Sequence, residues 1–271
     1  MLQLTHLSAI RFSGSDAGNF LHGQLSADVL GLDNGDSTFA CYCEPKGRVL
    51  ALMMVHRADQ DYYVIMSADL TASVSQRLRL YVMRSNVTIE VLNDHAVSGL
   101  YADETPQPDS NSICAIQLAG SSQWLSVTPR DSAVDTNAAA QADWKHSELQ
   151  LGITWLNPAT SGQFLPQWLG FEALGAVNYR KGCYPGQEIV ARTHYLGKVK
   201  RHPRLLNSKL AADPSPMDKI RLISDGQAHD GVIADFSTTG DGDVYLLVIT
   251  RMNPDLVAQQ VEYLGNITDA D

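Results

Sequence analysis

The residues best suited to chemistry are concentrated in Lys181-Gly182-Cys183-Tyr184-Pro185-Gly186-Gln187-Glu188. Tyr184-Pro185-Gly186-Gln187 has the make-up of a type II turn, since proline presets the second residue and glycine accepts the positive φ of the third. Cys183 immediately precedes the turn and Lys181 lies two residues back, so a thiol and an ammonium can face one ligand. Arg180 and Lys181 beside the sulfur favour the thiolate, the form that acts as nucleophile or metal ligand. The same residues equally suit a plainer role for Cys183, a buried small hydrophobe at a strand end.

The elements that must position this turn follow from periodicity and turn signals. Leu7–Phe12 reads as a strand, and a helix opens at Asp16 with Ala17, Phe20, Leu21 and Leu25 on one face, capped by Ser13 or Ser15. Strands over Thr38–Cys43, Arg48–His56 and Tyr62–Met66, separated by Glu44-Pro45-Lys46-Gly47 and Asp59–Asp61, form an antiparallel meander. A helix over Asp69–Met83 buries Leu70, Val74, Leu78 and Tyr81, and a strand returns over Asn86–Leu92. A second α+β unit runs from Ala96 to Leu151: three strands, a loop over Asp103–Ser112 and a helix through Thr136–Leu151. Gly152–Gln167 reads as a crossing loop, Phe171–Ala176 and Glu188–Tyr195 as short helices, and Val199–Leu206 as a strand. Beyond Asp213–Met217, short strands at Ile220–Ser224, Asp230–Phe236, Val244–Ile249 and Val261–Leu264 predict a small C-terminal β-barrel. The order of elements is that of an α+β protein rather than a doubly wound sheet.

The chain of 271 residues is long enough for two or three domains, and its formal net charge of −10 speaks against bulk nucleic-acid binding. The charge is uneven. Residues 180–209 hold eight basic side chains (Arg180, Lys181, Arg192, Lys198, Lys200, Arg201, Arg204, Lys209) and one acid, Glu188, leaving 12 basic against 29 acidic residues elsewhere. Such a patch suits a localised anion, a carboxylate tail or a phosphate, or else is a solvated strand face. Cys41, Cys43, Cys114 and Cys183 lack finger-type spacing, so no metal site is expected. No apolar run reaches membrane-span length, and the N-terminus lacks signal-peptide character; the expected location is the cytoplasm.

Lys181–Glu188 resembles the signature octapeptide of the YgfZ family, folate-binding proteins related in fold to the aminomethyltransferase (T-protein) of the glycine cleavage system. The resemblance continues through Ile189–Arg192 and Gly197–Arg201. It also takes in Ser161–Gln167, Pro45-Lys46-Gly47-Arg48, Gly14–Ala17 and the run Phe20-Leu21-His22-Gly23-Gln24-Leu25-Ser26-Ala27-Asp28. It implies three domains in a cloverleaf around a central hole: 1–93 with 152–200, carrying the signature loop; 94–151; and 201–271, the barrel. It implies tetrahydrofolate as cofactor, in monoglutamate or polyglutamate form, and iron–sulfur enzymes as partners, some of which modify tRNA. Lys181 and Cys183 would be the reactive pair. Trp144 would be a stacking platform for the pterin, although on its chemistry alone it is equally an ordinary core aromatic. Tyr184, Gln187, Glu188, Arg192 and Arg201 would complete the folate site, with the Arg192–Arg204 cluster seating its carboxylates.

Two departures from the family pattern bear on function. Leu7 stands where some members carry a second folate-facing tryptophan. Leu50-Ala51 stands where the T-protein has an acidic pair, and loss of such a proton-handling group ordinarily costs about 10²–10⁴-fold in rate. The sequence therefore favours a folate-binding accessory protein for iron–sulfur cluster assembly or repair. The alternative is a folate-dependent one-carbon transferase on an unknown acceptor, drawing an acid or base from Glu188, His194 or His202.

Overall fold

A computed structural model describes residues 1–104, 106, 112–130, 136–208, 213–239 and 243–265. Most of the expected loop over 103–112 and Lys209 of the basic stretch lie outside the described residues. The first elements are β1 (Leu2–Gln3), β2 (Leu7–Ser13), α1 (Ala17–Gln24), β3 (Ser37–Cys43), β4 (Val49–Ala58), β5 (Asp61–Ser67), α2 (Ala68–Val82) and β6 (Thr88–Val91). They are followed by β7 (His95–Tyr101), β8 (Cys114–Gln117), β9 (Gln123–Pro129), α3 (Ala138–Gln150), a 3₁₀ turn (Pro166–Leu169) and α4 (Gln187–Tyr195). β10 (His202–Ser208), β11 (Lys219–Ser224), β12 (Gln227–Thr238), β13 (Val244–Thr250) and β14 (Gln260–Gly265) complete the chain. No helix among the described residues is long and apolar enough to cross a membrane.

Three antiparallel sheets result: β3-β4-β5-β2-β6, β1-β7-β9-β8 and β10-β13-β12-β11-β14. The first carries the meander expected from its turn signals. β4, with Val49 and 51–56 all buried, packs against both α2 and β8, and its start is hydrogen-bonded to the returning segment 152–178. That segment is stitched to β4 through Val49, whose amide donates to Phe164 O (2.8 Å) while its carbonyl accepts from Gly162 N (2.8 Å). One large core joins the first two sheets and reaches Ala234, Leu247 and Ile249 of the third. Ile220, Leu222, Ile233, Leu246, Val248 and Met252 form a separate small core on the third sheet's other face. β-Bulges at Ile233/Asp235 and Lys219/Ile220 interrupt its ladders. The sheet is open: β10 and β14 are its edges and do not pair with each other among the described residues, so a five-stranded bulged sheet stands where the sequence predicts a small barrel.

Several local expectations are corrected. Neither Ser13 nor Ser15 caps α1. Its start is pinned by Asp16 Oδ2, which accepts from the Asn86 amide at 2.7 Å, and by Gly14 at φ +107°, where a Cβ would lie 2.2 Å from Asn86 O. Tyr81 is exposed rather than buried, since the covered face of α2 ends at Leu78. Phe171–Ala176 forms turns instead of a helix, because Gly170 and Gly175 take positive φ at its two ends.

Candidate functional site: a lysine and a thiol beside a type II turn

The turn is as its residues demand. Gly186 has φ +84° and ψ −2°, and Gln187 N donates to Tyr184 O at 3.2 Å, which is type II geometry at the third residue. Only glycine fits: a Cβ on Gly186 would meet Glu44 O at 2.4 Å and Gly47 Cα at 2.7 Å. Gly47, itself at φ +76°, closes the turn Glu44–Gly47 through its amide to Glu44 O (2.8 Å). Two turns distant in sequence thus meet backbone to backbone. Helix α4 starts at once, with Glu188 in its first turn, where a carboxylate favours the helix dipole.

Lys181 is brought to the end of α1. Its Nζ donates to Leu25 O at 2.6 Å and to His22 O, carbonyls that the ending helix leaves unpaired, and it sits 5.2 Å above the Tyr184 ring centre. The approach is set by Asn178, whose Oδ1 accepts from Arg180 N (2.8 Å) and Lys181 N (3.1 Å) and whose own amide bonds Ser26 O (2.9 Å). Ser26, fully buried, holds Ala176 O and Cys41 N through its hydroxyl. Burial lowers the Lys181 pKa to about 8, with Asp28 and Cys183 opposing the shift. His22 is also pushed down, by burial and then by Lys181, with Asp28 opposing. His22 Nδ1 lies 3.3 Å from Asp28 Oδ1, but the two are out of line for a hydrogen bond, and we regard His22 as neutral at pH 7.

Cys183 is exposed, whereas Cys41, Cys43 and Cys114 are buried. The plain reading as a buried small hydrophobe therefore applies to the other three and not to Cys183. A hydrogen bond to Cys41 and burial hold the Cys43 thiol well above its usual range, and burial pushes Cys114 up to about 12. Tyr184 is buried beneath Lys181, with burial raising its phenol pKa and its hydroxyl unpartnered. Gln187 reaches back to Lys181 O over a long 3.5 Å.

The remaining expected residues disperse. Glu188 and Arg192 are exposed on α4. Arg201 lies 4.8 Å over the Trp168 ring and lines a cavity of about 670 Å³ with Lys219, Arg221 and Arg251; burial and the nearby Arg251 and Arg48 lower its pKa. Arg204 instead bonds Asn253 O, so the Arg192–Arg204 cluster does not form one seat. Trp144 is 1% exposed: Gly99 lies flat against its ring, Tyr101 meets it edge-on at 5.2 Å, and its Nε1 donates to Glu148 Oε1 at 3.0 Å. Trp155 donates to the same oxygen at 2.9 Å. As it stands Trp144 is a core aromatic of the second sheet, with no open face for a pterin. His194 serves as a brace, stacked on Tyr179 at 3.9 Å with Nδ1 2.7 Å from Glu172 Oε1. Leu50 lines a cavity of about 380 Å³ with Ser73, Val74, Gln76, Arg77, Leu80 and Ser161, none of them an acid. His22, Gln24 and Asp28, which the sequence offers only as part of a motif, lie on the segment at the end of α1 whose His22 and Leu25 carbonyls hold Lys181. The signal for them was the run His22-Gly23-Gln24 with Asp28 itself.

No protein-family model matches the chain. It is similar over almost its whole length to the tRNA-modifying protein YgfZ of Klebsiella pneumoniae, 26% identical over an alignment of 295 positions, gaps included, that covers 98% of this chain and 90% of that protein. The tRNA-modifying protein YgfZ of Colwellia psychrerythraea is likewise 26% identical over 297 aligned positions, gaps included, covering 96% and 91%. Among solved structures, the glycine cleavage system aminomethyltransferase T from Bartonella henselae matches with a TM-score of 0.68 at 15% identity, covering 92% of this chain and 77% of that one. The resemblance to YgfZ proteins and the aminomethyltransferase-like α+β fold, both expected from the sequence, are borne out.

Proposed function

We propose that this YgfZ-like chain binds tetrahydrofolate and supports the assembly or repair of iron–sulfur clusters in client enzymes, tRNA-modifying ones among them. Near-full-length similarity to proteins named tRNA-modifying protein YgfZ supports the role, and a fold shared with an aminomethyltransferase supports the cofactor. The observation that carries the reading is a set of buried polar atoms without hydrogen-bond partners on the elements that hold Lys181: the Tyr184 hydroxyl, on the ring beneath its ammonium, and His22 Nδ1 and Gln24 Oε1 at the end of α1. Leaving such atoms unsatisfied costs about 1–3 kcal/mol each, which a flat heterocycle edged with amide donors and acceptors would recover. These residues fit a pterin, and Arg201, crowded by other cations, suits folate's carboxylates.

In this reading Lys181, Tyr184, His22, Gln24 and Gln187 hold the ring system, and Cys183 stands at its rim with an accessible sulfur. Bound folate supplies one-carbon chemistry. Lys181, with its lowered pKa, can take or give a proton near neutrality. Trp144, Glu188 and Arg192 have no part in ligand contact. The work falls in the cytoplasm, where thiols stay reduced. Calorimetric titration with tetrahydrofolate under argon tests the binding step: we expect Lys181→Gln to weaken it at least about 10-fold, the loss of one charge-assisted contact, and Glu188→Gln to leave it unchanged. An absence of binding by the wild type sinks the reading. For the client step, Cys183→Ala should keep folate affinity yet lose the activity of a cluster-dependent enzyme in cells.

One observation favours the transferase alternative: Lys181, held between the end of α1 and the Tyr184 ring, is a titratable base, a kind of group that Leu50-Ala51 cannot supply. Conversion of tetrahydrofolate to its methylene form with an aminomethyl donor would establish it.

A further inference from the structure

The basic run following the site divides in two. Arg201 turns into a cavity, whereas Arg180, Arg192, Lys198 and Lys200 are exposed around α4 and the segment after it. Among these cations stand two bare apolar side chains, Tyr195 at 63% and Leu196 at 85% exposure. Glu188, Arg192 and Tyr195 share one face of α4, and Leu196 follows at its C-terminal cap. A solitary exposed leucine needs no explanation, but this one follows an exposed tyrosine and lies within four residues of Arg192, Lys198 and Lys200, on a chain that is otherwise strongly acidic.

The pair is also held in place. Tyr195 is braced by Tyr179 at 5.7 Å and by His194 at 4.8 Å, both edge-on. Gln167 anchors this corner from beneath, donating to Tyr179 Oη (2.9 Å) and Val190 O (3.0 Å). Leu196 N and Gly197 N both bond Arg192 O at 3.0 Å, and a Cβ on Gly197 would lie 2.8 Å from Thr193 O, so the chain leaves the helix along one path. A surface ordered before binding loses less entropy when a partner arrives.

We propose that this face docks a partner protein through an acidic segment that carries exposed aliphatic or aromatic side chains. Charge complementarity selects the acidic partner. Leu196 selects protein over nucleic acid, because phosphates would satisfy the cations and leave the aliphatic side chain uncovered. The face begins directly after the turn that holds Cys183, and nine helical residues span only about 14 Å, so a docked partner lies close to the exposed thiol. The proposal stands independently of folate binding.

A random 12-residue peptide library, selected on the full chain and counter-selected on a Leu196→Ser/Arg192→Glu variant, tests it. We expect the enriched peptides to pair Asp or Glu with Leu, Ile or Phe. By fluorescence anisotropy they should bind the wild type about 10-fold or more tighter than either single variant, as for loss of one well-placed interface residue, with melting midpoints of the variants unchanged. Absence of enrichment, a consensus without acids, or affinity indifferent to both substitutions would overturn the proposal. So would binding of a 20-nucleotide single-stranded RNA that Leu196→Ser abolishes, or concentration-dependent self-association that it abolishes, since these assign the face to nucleic acid or to a second copy.

Discussion

At pH 7 an amine with a pKa of about 8 is unprotonated in roughly a tenth of molecules, against far fewer for an exposed lysine. Lys181 therefore combines a structural role, closing the end of α1, with proton exchange near neutrality. The shift also sets a pH dependence. Its folded pKa is lower than the ordinary 10.5, so between about pH 8 and 10.5 the unfolded chain keeps a proton that the folded chain has shed. Stability contributed by this group rises with pH across that window, and below it the cost of the half-buried ammonium is fully present. Urea titrations at stepped pH should show the wild type gaining on Lys181→Met from pH 8 to 10; a constant difference would mean that the amine titrates like an exposed one. Thiol counting makes a second residue-scale prediction. One of four cysteines should react promptly with an aromatic disulfide in the native protein, and Cys183→Ala should remove that phase while the other three wait for unfolding. The turn, the lysine and the cysteine were legible because proline, glycine and charge act locally. The place of Trp144 was not, since whether a helical indole meets a ligand or Gly99 depends on which sheet the helix covers.

At the scale of elements, the site rests on the contact between the turns Glu44–Gly47 and Tyr184–Gln187. Gly186→Ala combines positive φ with backbone overlap at 2.4 Å and is expected to cost about 2 kcal/mol or more. Gly175→Ala, at φ +69° with nothing within 4 Å, bears the backbone strain alone and should cost about 1 kcal/mol. Gly23 differs from both. It lies in α1 with ordinary φ and open space around it, so no neighbouring backbone explains it, and Gly23→Ala should stabilise the protein by about 0.5–1 kcal/mol. Denaturant midpoints for the three variants should fall in that order. Strand and helix positions were legible from periods of two and 3.6 residues. The start of α1 was not, because Asp16 and Gly14 are held by Asn86, a residue of another turn.

Across the whole molecule, three sheets separated by turn signals could be read from the sequence, but neither the return of 152–178 onto β4 nor the edges of the third sheet could, since both depend on long-range pairing. We propose that the units are 1–93 with 152–200, 94–151 and 201–271, and that the last two are joined chiefly by α3 against β12. There Lys145 Nζ lies 2.7 Å from Asp235 Oδ1, with Phe236 at 5.4 Å from the same ammonium. Asp235 is buried, and desolvation raises its pKa despite the opposing pull of Lys145. Removing the lysine alone leaves a buried carboxylate without its partner, a change that in fully buried pairs costs about 3–5 kcal/mol. The Lys145 side chain is 36% exposed, which admits water, and we discount the cost of Lys145→Met to about 2 kcal/mol. Because the folded carboxyl of that variant titrates above its unfolded value, the penalty should shrink as pH falls and Asp235 takes up a proton. Lys145→Met/Asp235→Leu removes both charges and should recover most of the loss at pH 7. Urea melts at pH 5 and pH 7 would decide: equal penalties at the two pH values, with no recovery in the double variant, would mean that methylene packing rather than charge joins the two units.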